Sequence, residues 1–180
     1  NALNTVYFQI DESNKAPRRT LEMISELLRY QLYGGNQKVS ILQEIDYLKT
    51  YIALRKLRMS ERLRLRVEFP PELNELNIYP LLFLPLVENA FKYVGGDYQL
   101  DIIMKWENNR ISLFIRNSIP ELSAEDEALR KSVDERQRKG IGLVNLRRRL
   151  SLLYPNKHRL ETRKEETEFV AELMIEIEDI

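Results

Sequence analysis

Apolar residues recur at helical spacing through the first third of the chain. Leu3, Val6, Tyr7 and Ile10 mark a helix over roughly 1–12, so the chain reads as beginning inside a helix. Residues 13–17 form a turn with Pro17 near a helix start. Leu21, Ile24, Leu27 and Leu28 then stripe a second helix, which Gly34–Gly35 would end. Ser40 is placed to cap a third helix with Glu44 close by. That helix carries Ile41, Ile45, Leu48 and Ile52 on one face and runs to about Met59.

The period then changes. Leu63, Leu65, Val67 and Phe69 alternate with charged residues, the pattern of a half-buried strand, which Pro70–Pro71 closes. Residues 81–94 form a strongly apolar helix broken at Gly95–Gly96. Leu100, Ile102, Met104 and Trp106 alternate, turn at Asn108–Asn109, and continue as Ile111, Leu113 and Ile115, a hairpin. Residues 119–139 are polar, charged and without a clear period, long for an internal loop and therefore a functional candidate. A last helix, from about Gly142 to Tyr154, aligns Leu143, Leu146, Leu150 and Leu153, and a second hairpin comes after it over 159–163 and 168–177. Strands joined mostly by hairpins, with helices to cover one face, predict an α+β two-layer sandwich behind a helical N-terminal segment.

Composition narrows the chemistry. The 180 residues include no cysteine, which excludes disulfides, thiolate metal sites and cysteine nucleophiles. His158 is the only histidine, so neither a multi-histidine metal site nor a serine–histidine–aspartate triad can be argued. Lys and Arg number 28 against 28 Asp and Glu, and no basic stripe with interleaved aromatics points to nucleic acid. No apolar run reaches the roughly 20 residues that span a bilayer, and no Walker-type glycine–lysine loop occurs.

Three places break the core-and-surface pattern. In LPLVENAFKY, an acid, an amide and a lysine interrupt an apolar helix. Glu88, Asn89 and Lys92 suit a divalent cation bound to phosphate; an ordinary ion pair between Glu88 and Lys92 on the solvent side is the simpler alternative. Gly140–Ile141–Gly142 opens the last helix, where backbone N–H groups can approach a phosphate, or where the chain simply hinges. Asn117–Ser118 ends a strand, to read a ligand edge or to turn the chain. The run Arg147–Arg148–Arg149 and His158 beside a Pro-Asn-Lys turn read as largely solvated.

Taken in order, these segments resemble one family. LPLVENAFKY is similar to the N box of the GHKL ATPases in the form used by LytS-type sensor histidine kinases, and KGIGLVNLRRRLSLLYP to that family's glycine box and adjoining helix. SELLRYQLY and SILQEIDYLKTYIALRKLRM resemble the segments joining its dimerisation helices to the ATPase domain. The opening NALN resembles the residues immediately after its phosphoacceptor motif. The resemblance covers essentially the whole chain. It implies the Bergerat, or GHKL, ATP-binding fold over 37–180, preceded over 1–36 by a remnant of the dimerisation and histidine-phosphotransfer hairpin.

By the same resemblance Asn89 matches the Mg²⁺-binding asparagine, held through the nucleotide, with Glu88 the acid beside it and Lys92 the lysine near the phosphates. Gly140 and Gly142 match the lid glycines, Asn145 and Arg149 fall with the nucleotide-binding set, and 119–139 would be a lid that closes over ATP. Two departures stand out. Asn117 occupies a position where many GHKL proteins carry the aspartate that accepts from the adenine amino group; its amide oxygen still accepts, without the charge. Pro85 stands where several GHKL ATPases carry a water-activating acid, which fits phosphotransfer better than the hydrolysis of chaperone-type ATPases.

The implied activity is transfer of the γ-phosphoryl of ATP, with Mg²⁺, to a histidine upstream of Asn1 and then to a response regulator. The chain as given would not phosphorylate itself in this way. The implied setting is a homodimer through the N-terminal helices, a soluble piece of a longer sensor on the cytoplasmic side of a bacterial inner membrane. The alternative is a degenerate GHKL-like module that binds no ATP and acts in dimerisation or signalling.

Overall fold

The computed structural model describes residues 2–33, 37–71, 73, 76–121 and 141–177. In chain order its elements are α1 (Ala2–Gln9), α2 (Lys15–Tyr33), β1 (Val39–Ser40), α3 (Ile41–Lys56), β2 (Arg64–Glu68) and β3 (Asn77–Ile78). Next come α4 (Leu84–Tyr93), β4 (Gln99–Glu107), β5 (Arg110–Ser118), α5 (Ile141–Leu153), β6 (His158–Lys164) and β7 (Glu168–Glu176). The chain forms two compact units, Asn1–Met59 with Asn77–Leu81, and Ser60–Leu76 with Leu82–Ile180.

In the helical unit α2 packs along α3, and α1 along α2. Ser40 caps α3 as its spacing predicts, but the capping box closes on Gln43: the Ser40 N–H donates to Gln43 Oε1 at 3.1 Å and Ser40 Oγ accepts from Leu42 N–H at 3.3 Å. Glu44 is thereby freed to turn inward, and it is buried with Ile41, Ile45, Tyr47, Leu48 and Ile52. The helix ends at Lys56, short of the expected Met59. There the bonds tighten to three-residue spacing, with Arg58 N–H on Arg55 O and Met59 N–H on Lys56 O, both at 3.1 Å. The ring of Tyr30 on α2 stacks on Tyr47, centroids 4.7 Å apart. Antiparallel β1 and β3, paired Val39 to Ile78 and Ser40 to Asn77, are an element the sequence pattern does not predict. Two residues are too few for alternation to appear.

The second unit is a five-stranded sheet in the order β2-β4-β5-β7-β6, with β2 parallel to β4 and the other neighbours antiparallel. Asn108 and Asn109, with φ of 51° and 58°, make the tight turn between β4 and β5, a conformation in which asparagine is well tolerated. One face of the sheet is mostly apolar: Leu100, Ile102, Met104, Ile111, Leu113, Ile115, Ala171, Leu173 and Ile175 are all buried. Helix α4 packs on β4 and β5, α5 on β6, and the two helices touch, giving the predicted α+β two-layer arrangement. The edge strands carry alternating charge, Arg64, Arg66 and Glu68 on β2 and Arg159, Glu161 and Arg163 on β6, which discourages edge-to-edge pairing.

Helix α4 starts three residues later than the apolar run suggests. Leu81 has φ of 59°, a left-handed conformation that cannot continue into an α-helix, and Pro85 falls in the first turn, where a missing N–H costs nothing. Among the described residues no helix is long and apolar enough to cross a membrane.

Candidate functional site

On α4 the side chains separate cleanly. Leu84, Leu86, Val87, Ala90 and Phe91 are buried and turn the helix onto the sheet. The opposite arc presents exposed Glu88 and Lys92 and half-buried Asn89, one turn apart, with the Lys92 ammonium 5.1 Å from the Tyr93 ring centroid. Among the described residues no group of three metal-ligating side chains gathers. A divalent ion at Asn89 would therefore draw its remaining oxygens from phosphate and water, the habit of Mg²⁺ at nucleotide sites.

Asn117 lies two residues beyond buried Ile115 on the helix-covered face of β5, paired with Leu100 on β4 and Phe169 on β7. It is wholly buried. Its Nδ2 donates to the Ser118 carbonyl at 3.2 Å, and since that carbonyl only accepts, the amide orientation is fixed. Oδ1 therefore points the other way, buried and, among the described residues, without a hydrogen-bond partner. A lone buried acceptor is what an amino-bearing ligand edge would satisfy.

Ser118 ties this strand end to the exit of α4. Its hydroxyl donates to Gly95 O at 2.6 Å and accepts from Gln99 N–H at 2.9 Å, while Gly95 N–H donates to Ser118 O at 3.0 Å. Glycine is required at both positions of the exit. A Cβ on Gly95 would stand 2.9 Å from Pro120 Cδ, and Gly96 has φ of 61° with Ile119 O only 3.1 Å from its Cβ position. The sequence marks Gly95–Gly96 as a helix break and Asn117–Ser118 as a strand end; that the two pairs clasp one another is visible only in the structure.

At the start of α5 no described atom lies within 4 Å of a Cβ placed on Gly142, so packing does not demand glycine there. The residue costs a helix about 1 kcal/mol relative to alanine, and the open space suits close approach of a ligand. Asn145 is exposed and Arg149 half-buried on the same helix. Gly140 and most of the polar 119–139 stretch, all of 122–139, lie outside the described residues. Arg147 has a structural task the sequence did not disclose: its guanidinium donates to Leu160 O at 2.9 Å and Thr162 Oγ1 at 3.3 Å, holding α5 to β6. His158 is half-buried with Nδ1 2.7 Å from Tyr154 O, at the start of β6.

The family model described as Histidine kinase matches residues 1–63. The sensor protein kinase HptS of Staphylococcus aureus (strain USA300) is 27% identical over 165 residues, which cover 89% of this chain. In sequence the chain is similar to sensor histidine kinases. It spans about a third, 32%, of the length of that curated relative. Among solved structures, a mycobacterial sensor histidine kinase, MprB, superposes with a TM-score of 0.51 at 13% identity over 81% of this chain and 99% of that one. The catalytic domain of the histidine kinase ThkA gives 0.50 at 17% identity over 78% and 95%. Full-length ShkA, in complex with AMPPNP, gives 0.51 at 12% identity over 88% of this chain and 35% of that one. At such identities the likeness is one of fold, and the fold is that of histidine-kinase catalytic domains. The histidine-kinase match in sequence falls on the helical unit and the start of the sheet unit, and the match in structure spans about four fifths of the chain.

Proposed function

We propose that this chain is the ATP-binding catalytic region of a LytS-type sensor histidine kinase. It would pass the γ-phosphoryl of ATP to a histidine upstream of Asn1 and, from there, to a response regulator. The observation that carries the reading is the Asn117 amide: wholly buried, its NH₂ donating to Ser118 O, its oxygen left without a donor among the described residues. An adenine amino group is a donor of the size and polarity to complete it, and the AMPPNP bound to ShkA, which has a similar fold, carries one.

The remaining roles rest on position. Asn89 would bind Mg²⁺ through its amide oxygen together with the phosphates, Glu88 would order the ion's water, and Lys92 would balance phosphate charge from the adjacent turn. Gly142, with Gly140, would let backbone N–H groups meet the phosphates at the start of α5, and Asn145 and Arg149 would line the site further along that helix. Mg²⁺, when bound, would neutralise charge developing on the transferred phosphoryl group. With so little covalent work for the protein, positioning is the larger part of its contribution. Pro85 offers no base to activate water on α4, so its position carries no hydrolytic group. On this reading 1–36 belong to the dimerisation hairpin and 37–180 to the catalytic domain. The N-terminal helices would pair in a homodimer of a membrane-anchored sensor, with the catalytic region on the cytoplasmic side. Exposed Val6, Phe8, Leu28 and Leu32 on α1 and α2 support the pairing.

Calorimetric titration with a non-hydrolysable ATP analogue, with and without Mg²⁺, tests the reading. Binding in the micromolar to millimolar range that requires Mg²⁺ is the expected result. A folded protein that gives no heat with either would favour a GHKL-like module that no longer takes nucleotide.

A further inference from the structure

Glu44 is a charged residue with no exposed surface. Its Oε2 accepts two hydrogen bonds, from the Tyr30 hydroxyl of α2 at 2.7 Å and from the Leu81 backbone N–H at 2.9 Å. Burial first, and then the neighbouring Glu44 charge, push the Tyr30 hydroxyl well above its ordinary pKa, so it remains a donor. Tyr30 is itself fixed by its stack on Tyr47, whose hydroxyl accepts from Gln31 Nε2 at 2.7 Å.

Leu81 is an unusual recipient. It holds φ of 59°, which costs free energy for a side chain with a Cβ and persists only where surroundings enforce it. It is also the last residue of the helical unit, and Leu82 is the first of the next stretch of the sheet unit. Three residues beyond Leu81, α4 begins, with Glu88, Asn89 and Lys92. The whole lead-in is gripped by the helical unit: Asn77–Ile78 pair with β1, Lys38 lies 5.8 Å over the Tyr79 ring, and Glu44 takes Leu81.

We propose that Glu44 is a positioning residue for α4, holding Leu81 in its left-handed turn and so fixing where the Asn89 helix starts, with Tyr30 linking that hold to α2. The second half of this inference, that the hold tunes nucleotide binding, rests on the proposed function; the first half does not. A buried carboxylate that accepts from a strained backbone N–H makes a charge-assisted bond, strengthened by being shielded from water.

The test uses the full chain with E44Q, Y30F, and E44Q combined with L81G. Amide hydrogen exchange is read first, without nucleotide. In E44Q, exchange should quicken about tenfold at Leu81 and at Leu86 and Val87, whose N–H groups bond Phe83 O at the start of α4, while β4, β5 and β7 exchange as before. Y30F, which keeps the carboxylate, should quicken the same amides by about threefold and serves if E44Q fails to fold. With Mg²⁺ and the ATP analogue, E44Q should bind about tenfold more weakly, and L81G in that background should restore most of the affinity, because glycine takes φ near 60° unaided. Unchanged exchange at these amides, or an even rise across both units, would overturn the proposal, as would a double variant no better than E44Q. A wild-type chain that binds no nucleotide would overturn the proposed function instead, and the exchange data would still decide the role of Glu44.

Discussion

At Asn117 a buried amide oxygen lacks a donor among the described residues, an omission worth about 1–3 kcal/mol in other proteins. Replacing it with leucine removes that penalty together with one bond to Ser118. Asn117→Leu should therefore keep or raise the melting temperature, read by circular dichroism, while the heat of ATP-analogue binding disappears. A loss of stability by several degrees with binding intact would show that the amide serves the fold. Asn89→Ala should behave differently: half-buried on the open arc of α4, it should abolish Mg²⁺-dependent binding and leave the far-ultraviolet spectrum unchanged. A variant that still binds Mg²⁺-nucleotide would remove Asn89 from the site. Of these residues, Glu88, Asn89 and Lys92 were legible in the sequence because polarity interrupts an apolar helix. Asn117 was legible only as a polar strand end; its burial depends on Leu100 and Phe169, which arrive from strands 17 and 52 residues away in the chain.

Among elements, the exit of α4 is the least tolerant of change. Gly95→Ala would place a methyl 2.9 Å from Pro120 Cδ and force β5 and the helix exit apart, at a cost of about 1–3 kcal/mol. Ser118→Ala would leave the Gln99 N–H and one acceptor site on Gly95 O without their hydroxyl, costing about 1–2 kcal/mol. Urea unfolding followed by fluorescence of Trp106, the only tryptophan and in the same sheet, would measure both. The strands, hairpins and helices of the sheet unit follow from periods of 2 and 3.6, and so they could be read directly. Two features could not. Strands β1 and β3 are too short to have a period, and the start of α4 is set by Leu81, a leucine that no propensity would place at positive φ. Glu44 belongs with them. At the head of an amphipathic helix it reads as part of a cap, and only the partners Tyr30 and Leu81, 14 positions before it and 37 after, explain why it is inside.

At the scale of the molecule, exposed ion pairs among the described residues add little to cohesion. The pairs Arg66–Glu68, Arg159–Glu161 and Arg163–Glu165 are all more than half exposed on at least one side, and such pairs are worth about 0–1 kcal/mol. Raising sodium chloride to half molar should leave the unfolding midpoint nearly unchanged. The apolar surface of α1 and α2 is the more consequential feature. With Phe8 and Leu32 each nearly four-fifths exposed, the chain should sediment as a dimer, and Phe8→Lys with Leu32→Lys should yield a monomer that binds nucleotide as well as the parent. A parent that sediments as a monomer would remove α1 and α2 as a pairing surface. Finally, the chain passes between its two units three times, after Met59, after Leu76 and after Leu81. Exchange of modules by recombination normally needs a single seam. Here no single seam exists: any join near Met59 that brought in a foreign helical hairpin would strand Asn77–Leu81 without β1 and without Glu44. Chimaeras that exchange the helical unit should therefore fold only when the five-residue return segment, Asn77–Leu81, travels with the helices it completes.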